Sequence, residues 1–166
     1  MGASMISELY LGEIRARWEA VRDVAIEIVT GPDGHARILA RHGASQAELR
    51  VTRDRDPASE GDVLFVGHAF SDIPRLLDAL ESGSLLPADD AAGIGRRIAA
   101  SSPGPWTAFI ESDGGHGGCD VICVSESDSE ADMYLWTGPD LAPSEIFRFV
   151  AEARQDVPAL LAAARQ

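Results

Sequence analysis

The sequence predicts an α+β protein. It reads as two tandem helix–three-stranded antiparallel meander–bent helix units, residues 5–82 and 85–166, packed around a pseudo-twofold axis as one compact domain. Three observations predict this. First, FVGHAFSDIPRLLDA at 65–79 returns as FVAEARQDVPALLAA at 149–163. Aligning 65–82 with 149–166 needs no gap, has an offset of 84 and keeps eight identities in eighteen positions; similarity at a fixed offset is the mark of internal duplication. Second, each half opens on a helical pattern. Third, each half then runs through three short alternating apolar and polar segments separated by Gly or Asp turns, the signature of antiparallel hairpins.

In chain order, ISELYLGEIRARWEAVRD (6–23) is the first helical pattern and VAIEIVT (24–30) the first strand. The turn GPDGH (31–35) leads to ARILAR (36–41) and AELRVTR (47–53), and DRDPASEGD (54–62) leads into the repeated stretch. The second half follows the same order: ADDAAGIGRRIAAS (88–101), WTAFIES (106–112), the turn DGGHGG (113–118), CDVICVS (119–125), DMYLWTG (132–138) and PDLAPSE (139–145). ESGSLLPADD (81–90) is the expected junction. Within the repeated stretch, Pro74 and Pro158 suit a first helical turn better than a helix interior. The reading is therefore two short helices broken at Asp-x-Pro, with Ser71 or Asp72 capping in the first copy and Asp156 in the second. An isolated three-stranded unit is marginal, so the halves are expected to share a core or merge their sheets.

Composition narrows the function classes. Fourteen basic residues, all Arg, face 27 acidic ones, for a net charge of −13. That balance argues against nucleic-acid binding, which rests on neutralising phosphates, and against docking on anionic lipid. It is compatible with a basic protein partner or with simple solubility. No apolar run reaches the roughly 20 residues of a membrane span. The start lacks a basic segment followed by an apolar one, so a cytoplasmic location is the expectation.

SSPGPWTAF (101–109), the meander and the terminal FVAEARQDVPALLAA together resemble a small, largely uncharacterised family of phage and actinobacterial proteins. Those proteins read as a helix, PGPW, a short β-meander and a closing helix of the type FxAxARxDxPxLL. The resemblance covers residues 94–166, while the first half keeps only the closing motif and IRARWEA (14–20). It implies a fold and a mobile-element or conflict-system setting, and it carries no catalytic residues over.

The residues themselves offer no catalytic constellation. His116 lies near Cys119 and Cys123, but zinc sites want paired ligands at other spacings. In an extended strand those cysteines stand about 13 Å apart, too far to bridge. ESDSEAD (126–132) invites a calcium reading, yet the loop's required Gly and Glu are absent: counted from Glu126 the sixth and twelfth places hold Ala131 and Thr137, counted from Asp128 they hold Met133 and Pro139. No GxSxG or phosphate loop occurs. His68 reads as a surface histidine, and Trp18, Trp106 and Trp136 as packing residues, one of which could anchor a partner.

The expected function is a non-catalytic acidic binding protein, an immunity protein or mobile-element accessory inhibitor that masks a protein partner, with no metal and no cofactor. Glu126, Asp128, Glu130, Asp132 and Trp136 are the expected contact residues. Two alternatives stay open: a small metal-assisted hydrolase using His35 or His116 with nearby acids, and a regulatory or oligomerisation module.

Overall fold

The structure is a computed structural model that describes residues 6–54, 56–111, 120–124, 132–137 and 140–165. Helix α1 spans Glu8–Val21, and the Oγ of Ser7 caps it by accepting the Tyr10 N–H at 3.2 Å. Strands β1 (Ala25–Thr30), β2 (Ala36–His42) and β3 (Ser45–Arg53) follow as a meander, and a two-residue strand β4 (Asp56–Pro57) folds back on β3. Helix α2 occupies Glu60–Ser82. The second half runs through α3 (Ala88–Ala100), β5 (Thr107–Phe109), β6 (Val121–Cys123), β7 (Asp132–Thr137), a two-residue β8 (Asp140–Leu141) and α4 (Ser144–Ala164).

All described strands join one antiparallel sheet in the order β1-β2-β3-β7-β6-β5, with β4 beside β3 and β8 beside β7. The expected merging of the sheets takes place at β3 and β7, which pair from Leu49↔Thr137 to Arg53↔Met133. One face of this sheet supplies the core. Ile38, Leu49, Ile122, Met133 and Leu135 alternate inward and are at most 1% exposed, the period-2 burial of a half-covered antiparallel sheet. Helix α2 covers β1 and β2, α4 covers β5 and β6, and the two helices pack on each other. Helices α1 and α3 each rest on both α2 and α4. Gly67 sets the depth of α2 on the sheet, since a Cβ there would lie 2.9 Å from Ile28 Cδ1.

The Asp-x-Pro stretches correct the sequence reading. Each lies inside a single continuous helix, with Pro74 in α2 and Pro158 in α4. The cap of α2 is Ser59, whose Oγ accepts the Asp62 N–H, and its C-terminus closes at Gly83 in the left-handed region at φ 63°. Asp72 and Asp156 are therefore not caps. A proline in a helix interior costs about 3 kcal/mol, and here buried Ile73, Leu76 and Leu77, and likewise Val157, Leu160 and Leu161, hold the helices together on both sides of it.

The aspartates instead face arginines on the leading helices. Arg97 of α3 grips Asp72, with Nη2 2.7 Å from Oδ1 and Nε 3.1 Å from Oδ2. Arg17 of α1 grips Asp156, with Nη2 3.0 Å from Oδ1 and 2.9 Å from Oδ2. Charged side chains in these places need such partners, because an unpaired buried charge is expensive.

The PGPW segment is similarly anchored. Trp106 is 1% exposed and meets Phe65 edge-on at 5.5 Å. Its backbone N–H donates to Gln155 Oε1 at 3.2 Å while Gln155 Nε2 donates to its carbonyl at 2.9 Å. The neighbouring Arg154 donates to the Ser102 carbonyl at 2.9 Å. Buried Asp62 takes both the N–H and the hydroxyl of Ser102, at 2.6 and 2.7 Å.

Candidate functional site

The described helices lie on one side of the sheet, and the described strands turn their remaining side chains to the other. Inward Met133 and Leu135 leave Asp132, Tyr134 and Trp136 on the outer face of β7. Register then assembles that face strand by strand. Arg50 on β3 stands opposite Trp136, and Thr52 opposite Tyr134. Cys123 on β6 pairs with Asp132 and with Thr107 of β5, while Phe109 pairs with Val121. The Trp136 indole N–H donates to Thr52 Oγ1 at 3.1 Å, and its ring lies 6.3 Å from that of Tyr134. Phe109 is 49% exposed. An apolar band thus runs from Tyr134 and Trp136 of β7 through Val121 of β6 to Phe109 of β5, with Arg50 at its flank.

A slot opens beside this band because β2 and β3 part company. Their pairing ends at Ile38↔Leu49, while β3 continues and takes β4 as its neighbour at Thr52↔Pro57. The resulting cavity of about 630 Å³ has Leu49, Val51, Ala58 and Val63 in its lining, a volume in the range of ordinary ligand sites. At its mouth, Asp33 accepts the His35 N–H at 3.2 Å and the Arg37 guanidinium at 3.2 Å. These bonds, the His35 amide first and the arginine second, hold the Asp33 carboxyl below its usual range.

The sequence-predicted site residues fall as follows. Asp132 and Trp136 lie on the open face of β7, half-buried and two pleats apart. Glu126, Asp128 and Glu130 lie outside the described residues, as do His116 and Cys119. His35 stands at the mouth of the slot with Asp33, Glu48 and Glu60 in the same lining. Among the described residues no three His, Cys, Asp or Glu side chains converge as metal ligands would. His68 is half-buried in α2 rather than a plain surface residue, and burial followed by the Arg97 charge pushes its imidazole below the usual range. Trp106 is core, Trp18 packs against Phe149 at 6.0 Å, and Trp136 alone of the three lies on the open face.

Sequence reasoning missed Tyr134, Phe109 and Arg50. Tyr134 was within reach, because period-2 alternation puts it on the side of Trp136. Arg50 and Phe109 depend on register, which alternation alone does not supply. A strongly perturbed group among the described residues lies elsewhere, on the helix layer. Tyr10 donates to Asp156 Oδ1 at 2.8 Å, and burial first, that bond second, lift its phenol well above the usual range. Burial also raises the carboxyls of Asp156 and Glu152. Arg17 and Tyr10 fill the donor needs of Asp156, so this node is a structural ion pair between α1 and α4.

No helix among the described residues is long and apolar enough to cross a membrane. Comparison with protein-family models, with curated proteins and with solved structures finds no match to this chain.

Proposed function

We propose that this protein is a non-catalytic binding module that docks a protein partner on the open face of its sheet, as an immunity protein or mobile-element inhibitor does. One observation carries the reading. Tyr134 and Trp136 of β7 and Phe109 of β5 share the face opposite the helices, with Val121 of the intervening β6 between them. Antiparallel sheets commonly leave one face to solvent, but with polar residues there. Phe109 is 49% exposed and Tyr134 and Trp136 are half-buried, and aromatics left accessible together on one face mark interaction surfaces. Asp132, the last residue of the acidic stretch in sequence, begins the same strand on the same face. Acidic residues at the rim would steer a basic partner, and the aromatics would supply affinity.

The same reading includes a duplicated architecture, residues 5–82 and 85–166 as copies of one unit related by a pseudo-twofold axis near the β3/β7 pair. In support, each half runs helix, three strands, a two-residue strand, helix. The strand order outward from β3/β7 is the same in both directions. Ile14, Arg17 and Ala20 of α1 recur as Ile94, Arg97 and Ala100 of α3. Each leading-helix arginine reaches the Asp of the other half's closing helix.

A photo-crosslinking residue placed at Tyr134, compared with one at Glu19 on α1, tests the docking face in extract of the native host. The expected result is a discrete adduct from position 134 that disappears with Trp136→Ala. Equal adducts from both positions, or none from 134, would remove the sheet face from the interface.

A further inference from the structure

The slot between β2 and β3 has a lining that selects for one kind of occupant. Its apolar part comes from Leu49, Val51, Ala58 and Val63. Among its charged residues Asp33 and Arg37 answer each other. Glu48, Glu60 and Arg50 remain, and none of them has an ion-pair partner among the described residues. Two carboxylates against one guanidinium leave an acidic excess, within a chain whose net charge is −13. Arg50 is the cross-strand neighbour of Trp136 and so belongs to the aromatic side of the mouth.

We propose that this slot is an anchor pocket for a cationic alkyl side chain, of the arginine or lysine type, presented by the protein partner. The proposal rests on the sheet-face docking reading and names the chemistry of the partner's anchor. Arginine and lysine carry an apolar stem behind a charged head. The stem matches the apolar lining, and the head meets the Glu48 and Glu60 carboxylates of the same slot. A purely apolar anchor would desolvate those carboxylates without giving them a partner. An anionic anchor would find one guanidinium against two carboxylates, in a field that repels it.

Butylguanidinium, a guanidinium on an uncharged four-carbon stem, is the probe, and hexanoate is the anionic control. Amide spectra of the isotope-labelled full chain are recorded during titration with each. The expected result is a saturable shift of the Val51, Ala58 and Val63 amides with butylguanidinium and none with hexanoate. Joint Glu48→Gln and Glu60→Gln replacement should weaken butylguanidinium binding by roughly tenfold, the scale of two partly exposed charge contacts. Glu60 is exposed and Glu48 half-buried outside the core, so that variant keeps its fold. Ala58→Phe should fill the slot and abolish the shifts. If it fails to fold, the double glutamine variant alone decides. Hexanoate shifting these amides, or butylguanidinium shifts that survive the double variant, would overturn the proposal. Butylguanidinium binding should persist in Trp136→Ala. Loss of the slot and loss of the docking face are therefore read separately, one by titration and the other by crosslinking.

Discussion

Asp72 and Asp156 occupy the same place in two helices, each two residues before an interior proline and each bound by an arginine from a leading helix. Their surroundings differ in two ways. Asp156 takes a third donor, the Tyr10 hydroxyl, and four residues before it stands Glu152. Asp72 has His68 four residues before it and takes its side-chain hydrogen bonds, among the described residues, from Arg97. The difference teaches that a repeated motif preserves the ion pair and leaves its electrostatic setting free to vary. One node collects carboxyls whose protonation burial favours, and the other holds an imidazole whose protonation burial opposes.

The largest expected effect comes from removing the aspartates. Deleting one partner of a buried pair strands the other. The arginines here are 22% and 24% exposed, which places the loss at the low end, about 2 kcal/mol for Asp72→Ala. Asp156→Ala also orphans Tyr10 and should cost about 1 kcal/mol more. Urea unfolding of the two variants measures both. Losses of about 1 kcal/mol at both positions with no difference between them would restore the capping reading.

Much of the fold was legible because it is local. Alternation in 24–30, 36–41, 47–53 and 132–138 marks four strands, and the structure places Ala25–Thr30, Ala36–His42, Ser45–Arg53 and Asp132–Thr137 there. The Asp-x-Pro stretches were misread because proline and aspartate carry strong local preferences for a helix start. What overrides those preferences is distant in sequence, Arg97 for Asp72 and Arg17 for Asp156. The candidate face was half legible. Trp136 could be named from residue type, whereas its neighbours Arg50 and Phe109 follow from strand order. The slot was invisible, since it exists only where the β2/β3 register stops at Ile38 and Leu49.

The starts of the two closing helices sharpen the comparison at a smaller scale. Ser59 caps α2 through its side chain, while the residue at the corresponding place before α4 is Pro143, which makes no side-chain cap. Ser59→Ala should therefore lose about 1 kcal/mol, and Pro143→Ala should lose clearly less. Thermal unfolding of the pair distinguishes them. Equal losses would mean that packing of the first turn, rather than its cap, holds α2 in place.

The subtlest difference between the nodes is their response to acid. Burial raises the Glu152 and Asp156 carboxyls above their ordinary values of 4.5 and 3.8. The folded chain then binds protons that the unfolded chain does not, so these groups favour folding as pH falls. Their contribution is complete below the unfolded values and is lost as pH rises through the raised ones. His68 behaves in the opposite sense. Its imidazole is pushed below the ordinary 6.5, so on acidification the unfolded chain takes the proton first. Its contribution is present above 6.5 and is lost as pH falls through the lowered value. Urea midpoints of the parent, Glu152→Gln and His68→Gln at about pH 7.5, 6 and 4.5 separate the two effects, because groups common to parent and variant cancel. Relative to Glu152→Gln the parent should gain stability as pH falls, and relative to His68→Gln it should lose it. Two differences running in the same direction would mean that burial of the nodes, on which the contrast rests, is not what sets their protonation.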